Sequence, residues 1–265
     1  MKNHPVLFKL KNTEIKDNSK CMIIAELGTL HHHDYEAMKR VTGQCFEAGA
    51  DAVKIQCIDP DFTPWADDKQ LKRYRDHLNS FPKELWAEYL YEMNQKHSKP
   101  VYASVFDKYT VEYLKGVNPC FKIANRMIND QELLDAIAET KVPRAISIQD
   151  SQWDDRLKKY CKTNTLVMNL IPGYPVHIQD IKLGLFQDSR PGLSIHFNGD
   201  MSIYKAAFVL GCKALEVHVM GDKPQGADEK FAFTIQKLEA LCYYRRLTEV
   251  LEDSCQYFYE HHVSC

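Results

Sequence analysis

Eight short runs of apolar, largely β-branched residues recur along the chain, each followed by a segment that can be helical. The runs are CMIIAELG (21–28), DAVKIQC (51–57), PVYASVF (100–106), CFKIAN (120–125), RAISIQ (144–149), TLVMNLI (165–171), GLSIHF (192–197) and ALEVHVM (214–220). Their apolar positions are continuous rather than alternating. That is the pattern of strands buried on both faces, as in a parallel sheet. Clear helical segments are YEAMKRVTGQCFEAG, PKELWAEYLYEMNQKH, NDQELLDAIAET and TIQKLEALCYYRRLTEVLED. In the last of these Ile235, Leu238, Leu241 and Cys242 share one face at helical spacing. Eight βα units predict an α/β chain folded as a (β/α)₈ TIM barrel. The fifth helix, SQWDDRLKKYCK, is expected to be short. The second connection, 58–81, is long and charged and is expected to form a lid or rim.

Residues 1–20 precede the first strand. Within them VLFKLKNTEI predicts a small hairpin, turning near Lys11-Asn12-Thr13, that closes the bottom of the barrel. The chain reads as one domain over 1–265, with an N-terminal extension (1–20), the barrel (21–252) and a tail (253–265). The tail is aromatic and histidine-rich. It is expected to pack on the barrel or on a partner, or to be disordered, and its His261-His262 pair reads as incidental.

Composition narrows the class. The 265 residues are 45% hydrophobic and 26% charged, which suits the roughly 250 residues of such a barrel. No segment reaches the roughly 18 apolar residues of a membrane span, and MKNHPVLFKLKNTEIKDNSK lacks the apolar stretch of a signal peptide. A net charge of −2 argues against a nucleic-acid surface. The nine cysteines are scattered without a CxxC, and Cys21, Cys45, Cys57, Cys120, Cys212 and Cys242 sit in apolar runs. Reduced, buried thiols in a cytoplasmic protein are expected.

Candidate chemistry sits at the strand ends. His196 and His218 each lie near the C-terminal end of an apolar run, with MSIYKAAFVLG between them. In a parallel sheet both rings emerge at the same end on neighbouring strands. Either imidazole alone would more often be a hydrogen-bonded strand residue, but the matched pair points to ligands for a divalent metal. Further polar residues crowd the same face, where barrel active sites lie. They are Glu26, Lys54, Gln56, Ser104, Lys122, Asn125, Ser194 and Glu216, with Tyr174 and Asp228 in loops. Two lysines inside a closed barrel need anionic company. Glu26 can be an internal counterion, a carboxylate or phosphate substrate can be clamped by both, or one lysine can form a Schiff base. The histidine pair favours metal chemistry on an anion. In the run LHHHDYE (30–36), Asp34 reads as a helix N-cap beside His33, with His31 or His32 lining the site mouth.

These residues resemble the N-acetylneuraminate (sialic acid) synthase family. IIAELGTLHHHDYEAM followed by EAGADAVKIQ is similar to that family's IAEIG-x-NH-x-G-D and AGAD-x-VK-x-Q. The likeness continues through VYASVFDKYTVEYL, FKIAN and PGYPV to GLSIHFNGDMSIYKAAFVLGCKALEVHVMGDKPQGADEKFAFT, spanning about residues 21–240. The resemblance implies a TIM barrel that condenses phosphoenolpyruvate with an open-chain sugar aldehyde, using manganese or a similar divalent ion. It implies His196 and His218 as metal ligands. Lys54, Ser104, Lys122 and Ser194 would hold phosphoenolpyruvate, and Glu26, Gln56, Tyr174 and Asp228 would surround the aldehyde and move protons. It implies small-molecule partners only, with neither nucleic acid nor membrane, and a homodimer is expected.

Departures from the family are substantial. Its C-terminal antifreeze-like domain, which supplies an arginine to the partner's sugar site, is expected to be absent because the chain ends soon after the last helix. The family's S-G-E after the strand-four lysine is here Asn125-Arg126-Met127, which replaces a phosphate-contacting serine and removes a glutamate, though Arg126 could supply a new anion contact. An asparagine has become Pro172, the aspartate of S-D-H is Ile195, strand five ends in Ser147-Ile148-Gln149-Asp150, and the NH-x-G loop is Leu30-His31-His32-His33. Two alternatives follow. One is a metal-dependent aldolase or lyase acting on a 2-oxo acid or sugar. The other is a non-catalytic sugar-binding relative, which the retained histidines disfavour.

Overall fold

The computed structural model describes residues 6–16, 19–28, 35–161, 164–181, 183, 186, 190–222 and 227–262, with 252–262 described as backbone. The eight apolar runs are the eight strands of a closed, all-parallel barrel. They are β3 (Met22–Gly28), β4 (Ala52–Cys57), β5 (Val101–Val105) and β6 (Phe121–Ile123), then β7 (Arg144–Ile148), β8 (Thr165–Ile171), β9 (Gly192–Ile195) and β10 (Ala214–His218). β10 pairs with β3 to close the ring. Nearly every residue in these strands is buried, as strands covered on both faces require. The outer layer is α1 (Tyr35–Glu47), α2 (Asp68–Ser80), α3 (Glu84–Lys96), α4 (Lys108–Leu114), α5 (Gln131–Glu139), α6 (Asp155–Lys158), α7 (Ser202–Val209) and α8 (Ile235–His262). Leu238, Leu241 and Cys242 on α8 are fully buried against the barrel.

The hairpin forms as expected from β1 (Val6–Leu10) and β2 (Thr13–Lys16), antiparallel, with Lys11 in the turn at φ 51°. Phe8, Leu10 and Ile15 pack among Met22, Ile24, Tyr102, Leu166 and Met168, so the hairpin plugs the barrel's N-terminal end. The Asn164 amide pins it there, accepting from Lys9 N–H at 2.7 Å and donating to Lys9 C=O at 3.0 Å.

Two connections differ from the simple alternation. The long second one contains α2, started by Asp67 in a capping box with Gln70, and it forms part of the barrel rim. Between β8 and β9 the expected helix is replaced, among the described residues, by a single 3₁₀ turn at Ile178–Asp180. Pro172, Gly173 and Pro175 keep the chain out of a helix just before it. The last helix continues across position 253 to His262, so residues placed in a separate tail extend α8. No helix among the described residues is long and apolar enough to cross a membrane.

Candidate active site

Strand register brings the polar residues to neighbouring levels of the barrel. Glu26 pairs with Lys54 across β3 and β4, and His218 with Glu26 across β10 and β3. Gln56 stands beside Ser104, Ser104 beside Lys122, and Ser194 beside Glu216. His196 follows immediately after β9. Facing the barrel axis, these side chains line one cavity of about 90 Å³ at the C-terminal end of the strands, where βα loops place reacting groups. Asn125, Arg126, Tyr174 and Asp228 line it as well. All the site residues expected from sequence therefore meet, except His31. That residue and Asp34 lie outside the described residues.

The lysines are paired internally. Lys54 Nζ contacts Glu26 Oε2 and lies 3.1 Å from Glu216 Oε1. Lys122 Nζ reaches the Glu216 carboxylate at 3.2 and 3.3 Å and donates to Ser147 Oγ at 2.8 Å. Ser194 Oγ donates to the same carboxylate at 3.2 Å. Glu26 also accepts from Gly28 N–H at 2.8 Å. Burial pulls the Lys54 ammonium down to about 7, against an opposing pull from Glu216. Burial alone would raise Glu216, but Lys122 and Lys54 outweigh it and hold the carboxyl well below its usual range. Glu26 is thus a counterion, as one reading of the sequence allowed. Glu216, a polar strand residue given no role from sequence, is the centre of the network. Its signal was present: an acid in the middle of a strand whose other residues, His218 aside, are apolar.

Both imidazoles are neutral, because burial lowers each to about 3. Their rings lie 5.0 Å apart, and Phe231 packs edge-on against both at 5.0 Å. The Nδ1 atoms of His196 and His218 are buried without a hydrogen bond, and His218 Nδ1 stands 3.6 Å from Asp228 Oδ2. Gly28, at φ +55°, ends β3 beside them. A Cβ there would stand 3.2 Å from Asp228 Oδ2 and 3.5 Å from His218 Nδ1, so the glycine admits both groups. No cluster of three or more His, Cys, Asp or Glu with metal-binding spacing occurs among the described residues. Two buried imidazoles with unpaired Nδ1 atoms are a donor set that would suit a divalent ion.

At the mouth, Tyr174 lies over His196 with centroids 4.1 Å apart. Burial raises its hydroxyl while Arg126 beside it pulls the other way. Asn125 is strapped to Gln152 Oε1 at 2.6 Å and to Ser147 C=O at 3.2 Å. Arg73 and Tyr74, from α2, complete the rim. Sequence reading anticipated a rim from 58–81 but not these two residues, because which side of a polar helix faces a cavity is set by packing.

A sequence model of the NeuB family matches residues 42–256. The chain belongs to the NeuB family. Among curated NeuB-like relatives, the pseudaminic acid synthase of Campylobacter jejuni is 27% identical over 250 residues, covering 84% of this chain and 72% of that protein. The human N-acetylneuraminate-9-phosphate synthase is 29% identical over 255 residues, covering 86% of this chain and 70% of that protein. The crystal structure of N-acetylneuraminic acid synthetase from Leptospira borgpetersenii, in complex with citrate, superposes with a TM-score of 0.81. That match covers 97% of this chain and 98% of the other at 22% identity, and it establishes the shared barrel fold.

Proposed function

We propose that this NeuB-family barrel is a transferase that condenses phosphoenolpyruvate with an open-chain sugar aldehyde, giving a 2-keto-3-deoxy sugar acid and inorganic phosphate. The observation that carries this is the placement of two buried lysines and two neutral imidazoles in one cavity. The relatives that are pseudaminic acid and N-acetylneuraminate-9-phosphate synthases support it.

His196 and His218 would hold the divalent ion, manganese or a similar one. When bound it would polarise the aldehyde oxygen as a Lewis acid. Lys54 and Lys122, with Ser104 and Ser194, bind the donor's carboxylate and phosphate by charge-assisted hydrogen bonds. They orient C3 of the enol toward the aldehyde carbon. A C–C bond forms there, the former aldehyde oxygen takes a proton, water adds at C2, and phosphate departs with its bridging oxygen. Asp228 and Tyr174, at the imidazole end, are placed to move those protons. Glu26 and Glu216 supply counter-charge when the lysines are without an anion.

The test is calorimetric titration of manganese-loaded protein with phosphoenolpyruvate, beside Lys122→Ala. Wild type is expected to bind, and the variant to bind at least about tenfold more weakly, the loss of one hydrogen bond to a charged group. Absence of binding at millimolar phosphoenolpyruvate in the folded wild type would overturn the reading. Titration with 2-oxo acids would then test the aldolase alternative, which the replacement of the family's phosphate-contacting serine by Asn125 favours.

A further inference from the structure

A second pocket, different in character from the active cavity, lies on the outside of the barrel. It has a volume of about 220 Å³ and sits between the 3₁₀ turn Pro60–Phe62 and the N-terminal parts of α3 and α4. Among the described residues it shares no lining residue with the active cavity.

Much of its wall is aromatic and open to solvent. Phe62, Tyr109 and Tyr113 line it, and they are 39%, 55% and 49% exposed. Single exposed rings are ordinary, but three around one hollow make a patch of the kind that marks a contact site. Phe62 and Tyr109 pack ring on ring with centroids 4.4 Å apart. Tyr113 stands one helical turn beyond Tyr109, and its hydroxyl donates to Glu84 C=O at 3.2 Å. The polar groups are of two kinds. Lys83 Nζ lies 2.9 Å from Asp59 Oδ2, and Asp59 Oδ1 accepts from Asp61 N–H at 3.0 Å, so that pair is already satisfied. Trp86 is not: it lines the same pocket and is 1% exposed, yet its indole N–H is a buried donor with no acceptor.

We propose that this pocket binds a neutral pyranose ring, as a sugar site separate from the active cavity. The faces of aromatic rings carry negative potential, which attracts the polarised C–H bonds on one face of a sugar. The same faces, with the exposed carboxylate of Glu84 among the lining residues, disfavour an anion. A simple cation has no acceptor to offer the Trp86 N–H, and neither has a hydrocarbon. A sugar hydroxyl or amide oxygen supplies one, which removes the cost of a buried donor left unmade. The site stands apart from the synthase reading, because it uses none of that cavity's residues.

The test is a ligand-observed NMR titration with methyl N-acetylglucosaminide. This probe is locked as a ring and cannot present the aldehyde that the active cavity would take. Wild type, Phe62→Ala, Tyr109→Ala and Trp86→Phe are compared, with thermal melts confirming that each is folded. Saturable binding by wild type is expected, with Kd on the order of millimolar. Loss of one aromatic contact should weaken it by at least about threefold in Phe62→Ala and in Tyr109→Ala, both exposed positions where the fold has little at stake. Trp86→Phe, which keeps a ring and removes the N–H, should weaken it as well, while Phe62→Tyr should retain it. Absence of saturable binding up to about 50 mM probe would overturn the site. So would binding that survives both alanine substitutions undiminished, which would place the sugar elsewhere. Tighter binding of methyl glucuronide than of methyl glucoside, or of benzamide than of either, would overturn the neutral sugar as the ligand class.

Discussion

Glu216 carries more of the site's internal electrostatics than its neighbours, and Glu216→Gln measures how much. The substitution keeps the shape and removes one negative charge. Lys54 retains Glu26, but Lys122 is left with Ser147 as its remaining partner among the described residues. Lys122 is 2% exposed, so water cannot replace the lost carboxylate. Removing one partner of a buried ion pair costs about 3–5 kcal/mol. At about 2–4 °C per kcal/mol for a domain near this size, the melting temperature should fall by roughly 6–20 °C. The assay is urea unfolding followed by circular dichroism, alongside calorimetric melting. Lys122→Met and the double variant complete a cycle. Methionine removes the stranded ammonium, so the double variant should be more stable than the sum of the single losses predicts, with a coupling of at least about 2 kcal/mol. A Glu216→Gln protein within about 1 kcal/mol of wild type, with additive singles, would refute the network as an energetic unit.

Other outcomes follow from the same geometry. Phe8→Ala should lose about 3–5 kcal/mol in chemical unfolding, because Phe8 is 1% exposed in the plug at the bottom of the barrel; a loss below about 1 kcal/mol would show that the hairpin is only loosely docked. His196→Ala and His218→Ala should each abolish manganese binding by calorimetry while leaving the far-ultraviolet spectrum intact, and undiminished manganese binding by either variant would remove that histidine from the proposed site.

The barrel was legible because its strands are continuous apolar runs, a pattern with few other solutions in a chain of 265 residues. Lys54, Lys122, His196 and His218 stood out for the same reason: a charged or titratable side chain within an apolar run must be answered by something. Glu216 obeyed that logic too, yet its partners became visible only when register set β10 beside β9 and β3. Arg73 left no comparable trace. It lies on α2, whose sequence DKQLKRYRDHLNS is polar on most sides, and nothing local marks which residue turns inward. That the described residues between β8 and β9 carry a 3₁₀ turn in place of the expected helix accords with Pro172, Gly173 and Pro175, residues visible in the chain but outweighed in a reading that expected strict alternation.

The plug at the bottom of the barrel has a consequence for the order of assembly. β1 and β2 leave the ribosome before any barrel strand, but the surface they cover is built from Met22, Tyr102, Ala145, Leu166, Met168 and Ala214. Those residues are spread across most of the length of the chain, and they converge only once the ring closes. The hairpin is therefore made before the barrel strands and is one of the last pieces with somewhere to go. Until then Phe8, Leu10 and Ile15 are exposed apolar side chains on a nascent chain, the kind of surface that chaperones hold and that aggregation recruits.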